Sequence, residues 1–260
     1  MHTVKVIAEF LDQFAPHRLA EEWDNVGLLV GDPAGPVNRV MTCLTITPAT
    51  AAEAIEAETD LIVTHHPLPF RPLKRLTTDT PTGRVLLDLI AGRIAVYSPH
   101  TAFDSAEEGI NPRLAQGLGL QQIEPIVPGE EGLGSGRWGR LGRPLTLGKL
   151  IERVKEFLSI ERVQFVGRLD QPVGTVAVAC GSAGEFLEPA GKLGCDAMLV
   201  GETRFHTCLE AEASGIAMVL PGHFASERFA VERLADLLAA QFADLKVWAS
   251  RQERDPIGWT

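Results

Sequence analysis

Residues Asp60 to Phe70 read D-L-I-V-T-H-H-P-L-P-F, and such a run limits what the chain can fold into. Leu61 to Val63 has the length and β-branched content of a buried strand. Pro67 ends it, because proline has no N–H for the ladder and biases the preceding residue toward an extended shape. His65 and His66 are thereby delivered side by side at a strand's C-terminal end, where ligands commonly bind in α/β sheets. Successive strand residues point to opposite faces, so the pair suits two neighbouring metal ions as well as one. The competing reading is a surface His-His pair without a role, and the rest of the chain decides between them.

The surrounding chain alternates helix and strand. Val4 to Phe14 places Val4, Ile7, Ala8, Leu11 and Phe14 at helical spacing and stops before Pro16. Glu21 to Pro33 is a loop closing into a short strand. Arg39 to Thr45 follows as a strand and Pro48 to Glu58 as an alanine-rich helix with proline at its start. After the Leu61 strand come a helix at Gly83 to Ala91, a strand at Ile94 to Tyr97 and a helix at Ile110 to Leu118 closed by Gly119. This alternation predicts an α/β layered fold.

Residues 124–143 interrupt the pattern with a Gly- and Pro-rich stretch, read as a hairpin or linker at a domain junction. It contains Gly134, Gly136 and Gly139 in a literal G-x-G-x-x-G. The strand before and helix directly after that dinucleotide binding requires are missing, so the match carries little weight. Beyond it the grammar repeats. Helices are expected at Leu147–Leu158, Glu185–Leu193, Cys208–Ser214 and Glu227–Phe242. Strands are expected at Val163–Val166, Val176–Ala179, Ala197–Val200 and Ala217–Leu220. D-L-I-V-T-H-H-P at 60–67 resembles D-A-M-L-V-G-E-T at 196–203, and I-A-V-Y-S-P-H-T-A-F-D at 94–104 resembles I-A-M-V-L-P-G-H-F-A-S-E at 216–227. The expectation is two related α/β halves, residues 1–124 and 125–260.

A net charge of −10 argues against a broad nucleic-acid face, though a metal site could still attract an anionic substrate. Cys43, Cys180, Cys195 and Cys208 are widely spaced without a C-x-x-C, a pattern of reduced thiols in a cytoplasmic protein. The first twelve residues carry acids inside their apolar stretch, unlike a signal-peptide core. No apolar run approaches the roughly 20 residues of a membrane span. A soluble, intracellular protein is expected.

The matched strand ends carry the chemistry. His100 and Asp104 are spaced i, i+4, as are His223 and Glu227, which in a helical turn puts imidazole and carboxylate on one face. Of the seven histidines, four lie at these three strand ends and a fifth, His206, lies near a fourth. A single H-x-x-x-[DE] has a plain capping explanation, and His100 reads equally as a ligand or as a residue behind the ligands that polarises substrate. Asp24 and Asn25 are taken as structural, and Asp32 and Asp60 as turn or capping residues. As a set, His65, His66, Asp104, His223 and Glu227 favour a metal site.

W-D-N-V-G-L-L-V-G-D-P, D-L-I-V-T-H-H-P-L-x-F, H-T-A-F-D and the late G-H-F-A-S-E together resemble the dinuclear-metal family of GTP cyclohydrolase 1 type 2 homologues, the Nif-three-like proteins. The boxes come in the family's order across nearly the whole chain. The resemblance implies two similar α/β/α layered domains with a metal site in the cleft between them, and a toroidal homo-hexamer built as a trimer of dimers. It implies two divalent ions held by His65, His66, Asp104, His223 and Glu227, with His100 nearby as a catalytic proton carrier. Zinc, iron, manganese and nickel all suit such ligands. Thr45, in L-T-I-T, stands where the family often has an aspartate, so that residue's role does not transfer. The short junction implies that the large extra domain of some members is missing. The expected function is a metal-dependent hydrolase of a nucleotide or phosphoester-like small molecule. The alternatives are a ring-shaped metal-binding or scaffold protein without catalysis, and a nucleic-acid ring if Arg137, Arg140 and Arg143 cluster on one face.

Overall fold

The structure is a computed structural model describing residues 2–129 and 132–258. It forms two compact units, Met1–Phe103 with Ala230–Pro256, and Asp104–Phe229 with Ile257–Thr260. The chain crosses between them inside the His100–Ser105 helix and inside the His223–Gln241 helix. This division differs from the expected one at residue 124, for two reasons of pairing. Leu120–Glu124 joins the second unit's sheet through Arg137–Thr146, and Lys246–Ala249 returns to pair with Arg39–Cys43.

The first unit holds a five-stranded sheet in the order Lys246–Ala249, Arg39–Cys43, Leu61–Thr64, Ala95–Ser98, Gly27–Val30. The first four strands are parallel and the last antiparallel. Met41, Cys43, Ile62 and Val96 point to one face, where they pack with Ala51, Ala54, Val85 and Leu89 of helices Pro48–Glu56 and Pro81–Ala91. On the other face the Thr42 hydroxyl donates to the Val231 carbonyl at 3.0 Å. Burial on both faces is why these strands are apolar runs rather than alternating ones. Threonines start the helices: Thr3, Thr47 and Thr80 cap Val4–Phe14, Pro48–Glu56 and Pro81–Ala91, the last two with proline in the first turn.

The second unit holds a six-stranded sheet in the order Gln164–Val166, Ala217–Leu220, Ala197–Glu202, Pro172–Ser182, Arg137–Thr146, Leu120–Glu124. Its three middle parallel strands correspond in order to Arg39–Cys43, Leu61–Thr64 and Ala95–Ser98. A side-chain device repeats with them. The Asp60 carboxylate accepts the backbone N–H groups of Asn38 and Arg39 at 2.7 and 2.9 Å; the Asp196 carboxylate accepts those of Gly174 and Thr175 at 2.8 and 2.9 Å. Each acid thus ties the start of its own strand to the start of the preceding one, which fits the capping role expected for Asp60.

The stretch expected as a hairpin or linker is only partly that. Val127–Pro128 pairs with Gly134–Ser135, but Arg137–Thr146 is a full strand bonded on both sides. Gly134, Gly136 and Gly139 sit in this hairpin and strand, not in a strand-to-helix turn. Arg137 is 5% exposed, so it does not join Arg140 and Arg143 at the surface, and the basic patch required for a nucleic-acid ring is reduced to two residues.

The last strand is anchored by carboxylates. Glu53 accepts from Trp248 Nε1, the Ser250 hydroxyl and the N–H groups of Arg251 and Gln252 at 2.6–3.3 Å, and these bonds, set against its partial burial, lower its pKa. Glu253 accepts the Leu44 and Thr45 N–H groups at 2.8 and 2.6 Å, just past the end of the Arg39–Cys43 strand.

Candidate metal centre

His65, His66 and His100 lie in the first unit. The ladder runs on past Thr64: the N–H groups of His65 and His66 donate to the carbonyls of Cys43 and Leu44 at 3.0 and 2.8 Å. Both imidazoles are therefore aimed by backbone bonds rather than by a free turn. The ring centroids of His65 and His66 are 5.0 Å apart, and His100 stands 5.1 Å from the first and 5.8 Å from the second. Each ring offers one nitrogen, and the three nitrogens lie within 4.8 Å of one another. His65 is 2% exposed.

His66 and His100 each have a partner that orients the ring. His66 Nδ1 lies 2.6 Å from the Thr45 hydroxyl, and His100 Nδ1–H donates to Asp24 at 2.7 Å. With Nδ1 so engaged, Nε2 is the nitrogen left for a metal or a substrate proton. Asp24 also accepts from the Thr101 N–H at 3.1 Å and from the Thr101 hydroxyl. His100 itself has φ of +28°, a backbone position that non-glycine residues rarely take and that functional sites often hold.

The Asp24 side chain is 0% exposed. Burial works to raise its pKa, yet the bonds from His100 and Thr101 outweigh it and hold the group at about 2, against 3.8 ordinarily. A folded-state pKa below the unfolded one means stability that is present above about pH 4 and lost as pH falls toward 2. Metal-free protein should therefore lose on the order of 2 kcal/mol across that window through this one group. The Asp24→Asn variant, followed by urea unfolding at stepped pH, should lack that component; an unchanged acid slope would refute the assignment.

Asp104, His223 and Glu227 lie in the second unit. His223 opens its helix after Gly222, and its Nδ1 and Nε2 lie 3.0 Å from Glu202 and 3.1 Å from Glu227. Burial disfavours the imidazolium, but the two carboxylates prevail and raise its pKa to about 9. Asp104 accepts from the Cys180 thiol at 3.1 Å. Burial, then the charges of Asp104 and Glu227, push that thiol's pKa well up, so both acids act on one buried point. Gly181, at φ +63°, makes room for this: a Cβ there would stand 2.4 Å from Glu227 Oε1 and 3.5 Å from His223 Nε2. Carboxylates gathered with an imidazole, and a backbone cut away to admit them, form a donor set that suits a divalent cation.

Of the residues expected at the site, His65, His66 and His100 come together in one unit, and His223 meets Glu227 in the other. His206 is exposed on the Phe205–Ser214 helix, edge-on to Phe205. Sequence reasoning took Asp24 as structural and did not single out Glu202, Cys180 or Gly181. Glu202 had a signal: in the internal repeat it occupies the position of His66.

The family model Duf34/NIF3 (NGG1p interacting factor 3) matches residues 2–256. A GTP cyclohydrolase 1 type 2 homolog of Clostridium acetobutylicum is 36% identical over 227 residues, covering 86% of this chain and 85% of the relative. Protein NIF3 homolog of Schizosaccharomyces pombe is 37% identical over 258 residues, 92% of each chain. Among solved structures, a Bacillus cereus protein related to NIF3 superposes with a TM-score of 0.92 over 100% of this chain and 99% of its own, at 24% identity.

Proposed function

Because the chain belongs to the Duf34/NIF3 family, we propose that it is a dinuclear metal-dependent hydrolase of a nucleotide or phosphoester-like small molecule. The observation that carries the proposal is the imidazole trio of His65, His66 and His100, whose nitrogens lie within 4.8 Å of one another. His65, His66, Asp104, His223 and Glu227 would hold two divalent ions (zinc, iron, manganese or nickel). When bound, such ions supply Lewis acidity toward an anionic group and make water acidic enough to attack near neutral pH. His100, held by Asp24, moves a proton through its Nε2. Glu202 and Thr45 fix the rings of His223 and His66 behind the ligands. The printed name of the Clostridium relative, a GTP cyclohydrolase homolog, supports a purine nucleotide as the substrate class. The protein works in the cytoplasm as a homo-hexamer, a trimer of dimers forming a toroid; four widely spaced cysteines without a C-x-x-C favour the reducing compartment.

The test is a turnover screen of nucleotides and phosphoesters with metal-loaded protein, beside metal-stripped protein and the Asp104→Ala variant. Turnover that needs metal and falls at least a hundredfold in the variant, with the oligomer intact, is expected. Metal bound without turnover of any of these substrates would leave the non-catalytic scaffold reading.

A further inference from the structure

Trp23 is 63% exposed and Phe70 46%, although both rings belong to loops pinned around the histidine cluster. The Asn25 side-chain amide donates to the Pro69 carbonyl at 2.8 Å, tying the two loops together. The neighbouring Asp24 is tied in turn to His100. Trp23 and Phe70 lie 5.9 Å apart, and each stands edge-on to His100 at 6.1 and 6.0 Å. Large rings held open to solvent beside a polar cluster are an unusual use of apolar surface. The loop that brings Phe70 continues R-P-L-K-R, and Arg71, Lys74 and Arg75 are all exposed. Among the described residues no carboxylate pairs with any of the three. Three unpaired cations within five residues stand out in a chain of net charge −10.

We infer that Trp23 and Phe70 form a stacking subsite for a planar aromatic ring, and that Arg71, Lys74 and Arg75 receive an anionic group carried by the same ligand. Ring faces stack on aromatic side chains with little regard to ring identity, which suits an open pair better than a fitted pocket. Flexible cations on an exposed loop attract phosphate without fixing its geometry. Both rings lie about 6 Å from His100, so a ring stacked on them would sit beside the histidines. This deepens the hydrolase proposal and rests on it for the identity of the neighbouring site, but the subsite itself needs no metal to be tested.

The experiment is calorimetric titration of the full chain with AMP, adenosine and ribose 5-phosphate, before and after chelation, with metal content measured throughout. AMP should bind about tenfold or more tightly than either fragment, because only AMP engages both halves of the subsite. Trp23→Ala and Phe70→Ala should each weaken AMP about tenfold while leaving metal content and ribose 5-phosphate binding unchanged. The Arg71→Ala/Lys74→Ala/Arg75→Ala variant should bind AMP no better than adenosine and lose the salt dependence. Ribose 5-phosphate binding as tightly as AMP, or Trp23→Ala binding AMP like the parent, would overturn the inference. So would a change of oligomeric state in Trp23→Ala with no AMP binding by the parent, which would make the rings an interface. A parent that holds no divalent ion even after reloading, yet binds AMP through Trp23, would sink the hydrolase proposal and leave the subsite standing.

Discussion

Replacing His65 and His66 together with alanine should bring the metal content of protein purified without added metal from about two ions per chain to near zero. The loss should come from the ligands and not from the fold. Both residues are positioned by backbone bonds to Cys43 and Leu44, which alanine keeps. The strand before them, Leu61–Thr64, is fully buried and paired on both sides. Elemental analysis reads the first effect, and thermal unfolding with and without chelator reads the second. A ligand that binds only the folded state stabilises it by about 4 kcal/mol at a thousand times its Kd, so chelation should lower the parent's Tm and leave the double variant's unmoved. A third variant, His100→Ala, separates the two roles open to that residue. Metal retained with turnover lost would make it the proton carrier; metal lost would make it a ligand. A parent that holds no divalent ion even after reloading would end the enzymatic reading, and a double variant as metal-rich as its parent would end this ligand assignment.

The reason these residues were legible lies in how strand ends are written. Leu61–Thr64, Ala95–Ser98, Ala197–Glu202 and Ala217–Leu220 are short apolar runs closed by proline, glycine or a polar pair, and each forms within a residue or two of its expected place. Histidines at such ends have few structural duties, so they stand out. Lys246–Ala249 shows the opposite case. K-V-W-A is short and mixed, and it becomes a strand only because Arg39–Cys43, two hundred residues earlier, offers an edge and Glu53 holds Ser250, Arg251 and Gln252 just beyond it. Nothing local encodes that. Asp24 was hidden for another reason. An aspartate after tryptophan in a loop reads as a turn residue, and its bond to His100, 76 positions away, exists only in three dimensions.

Arg137 combines both kinds of concealment, and its removal should have the largest effect on stability. The sequence around it is glycine-rich with arginines at 137, 140 and 143, which reads as a solvated connector. Glycine is there for close approach instead: a Cβ on Gly139 would meet the Gln121 carbonyl at 2.8 Å. Strand alternation then turns Arg137 inward and Arg140, three residues on, outward, while Arg143 is exposed within the register shift that follows Arg140. The buried guanidinium donates to the carbonyls of Gly134, Gly136 and Ser105 at 2.7, 2.6 and 2.8 Å. Burial draws its pKa down to about 10, so it remains a cation at neutral pH. Arg137→Ala leaves three carbonyls short of a donor and a cavity where the side chain lay, and should cost about 3 to 5 kcal/mol by urea unfolding. Arg137→Lys should recover only part, since an ammonium cannot span three acceptors as a planar fork does. Arg140→Ala should change stability by less than about 0.5 kcal/mol, as an exposed substitution does. Because Ser105 directly follows Asp104, a released Ser105 carbonyl also loosens that carboxylate, so Arg137→Ala should lose metal affinity along with stability. A cost below about 1 kcal/mol would mean that the three bonds add little beyond what water supplies in the unfolded chain.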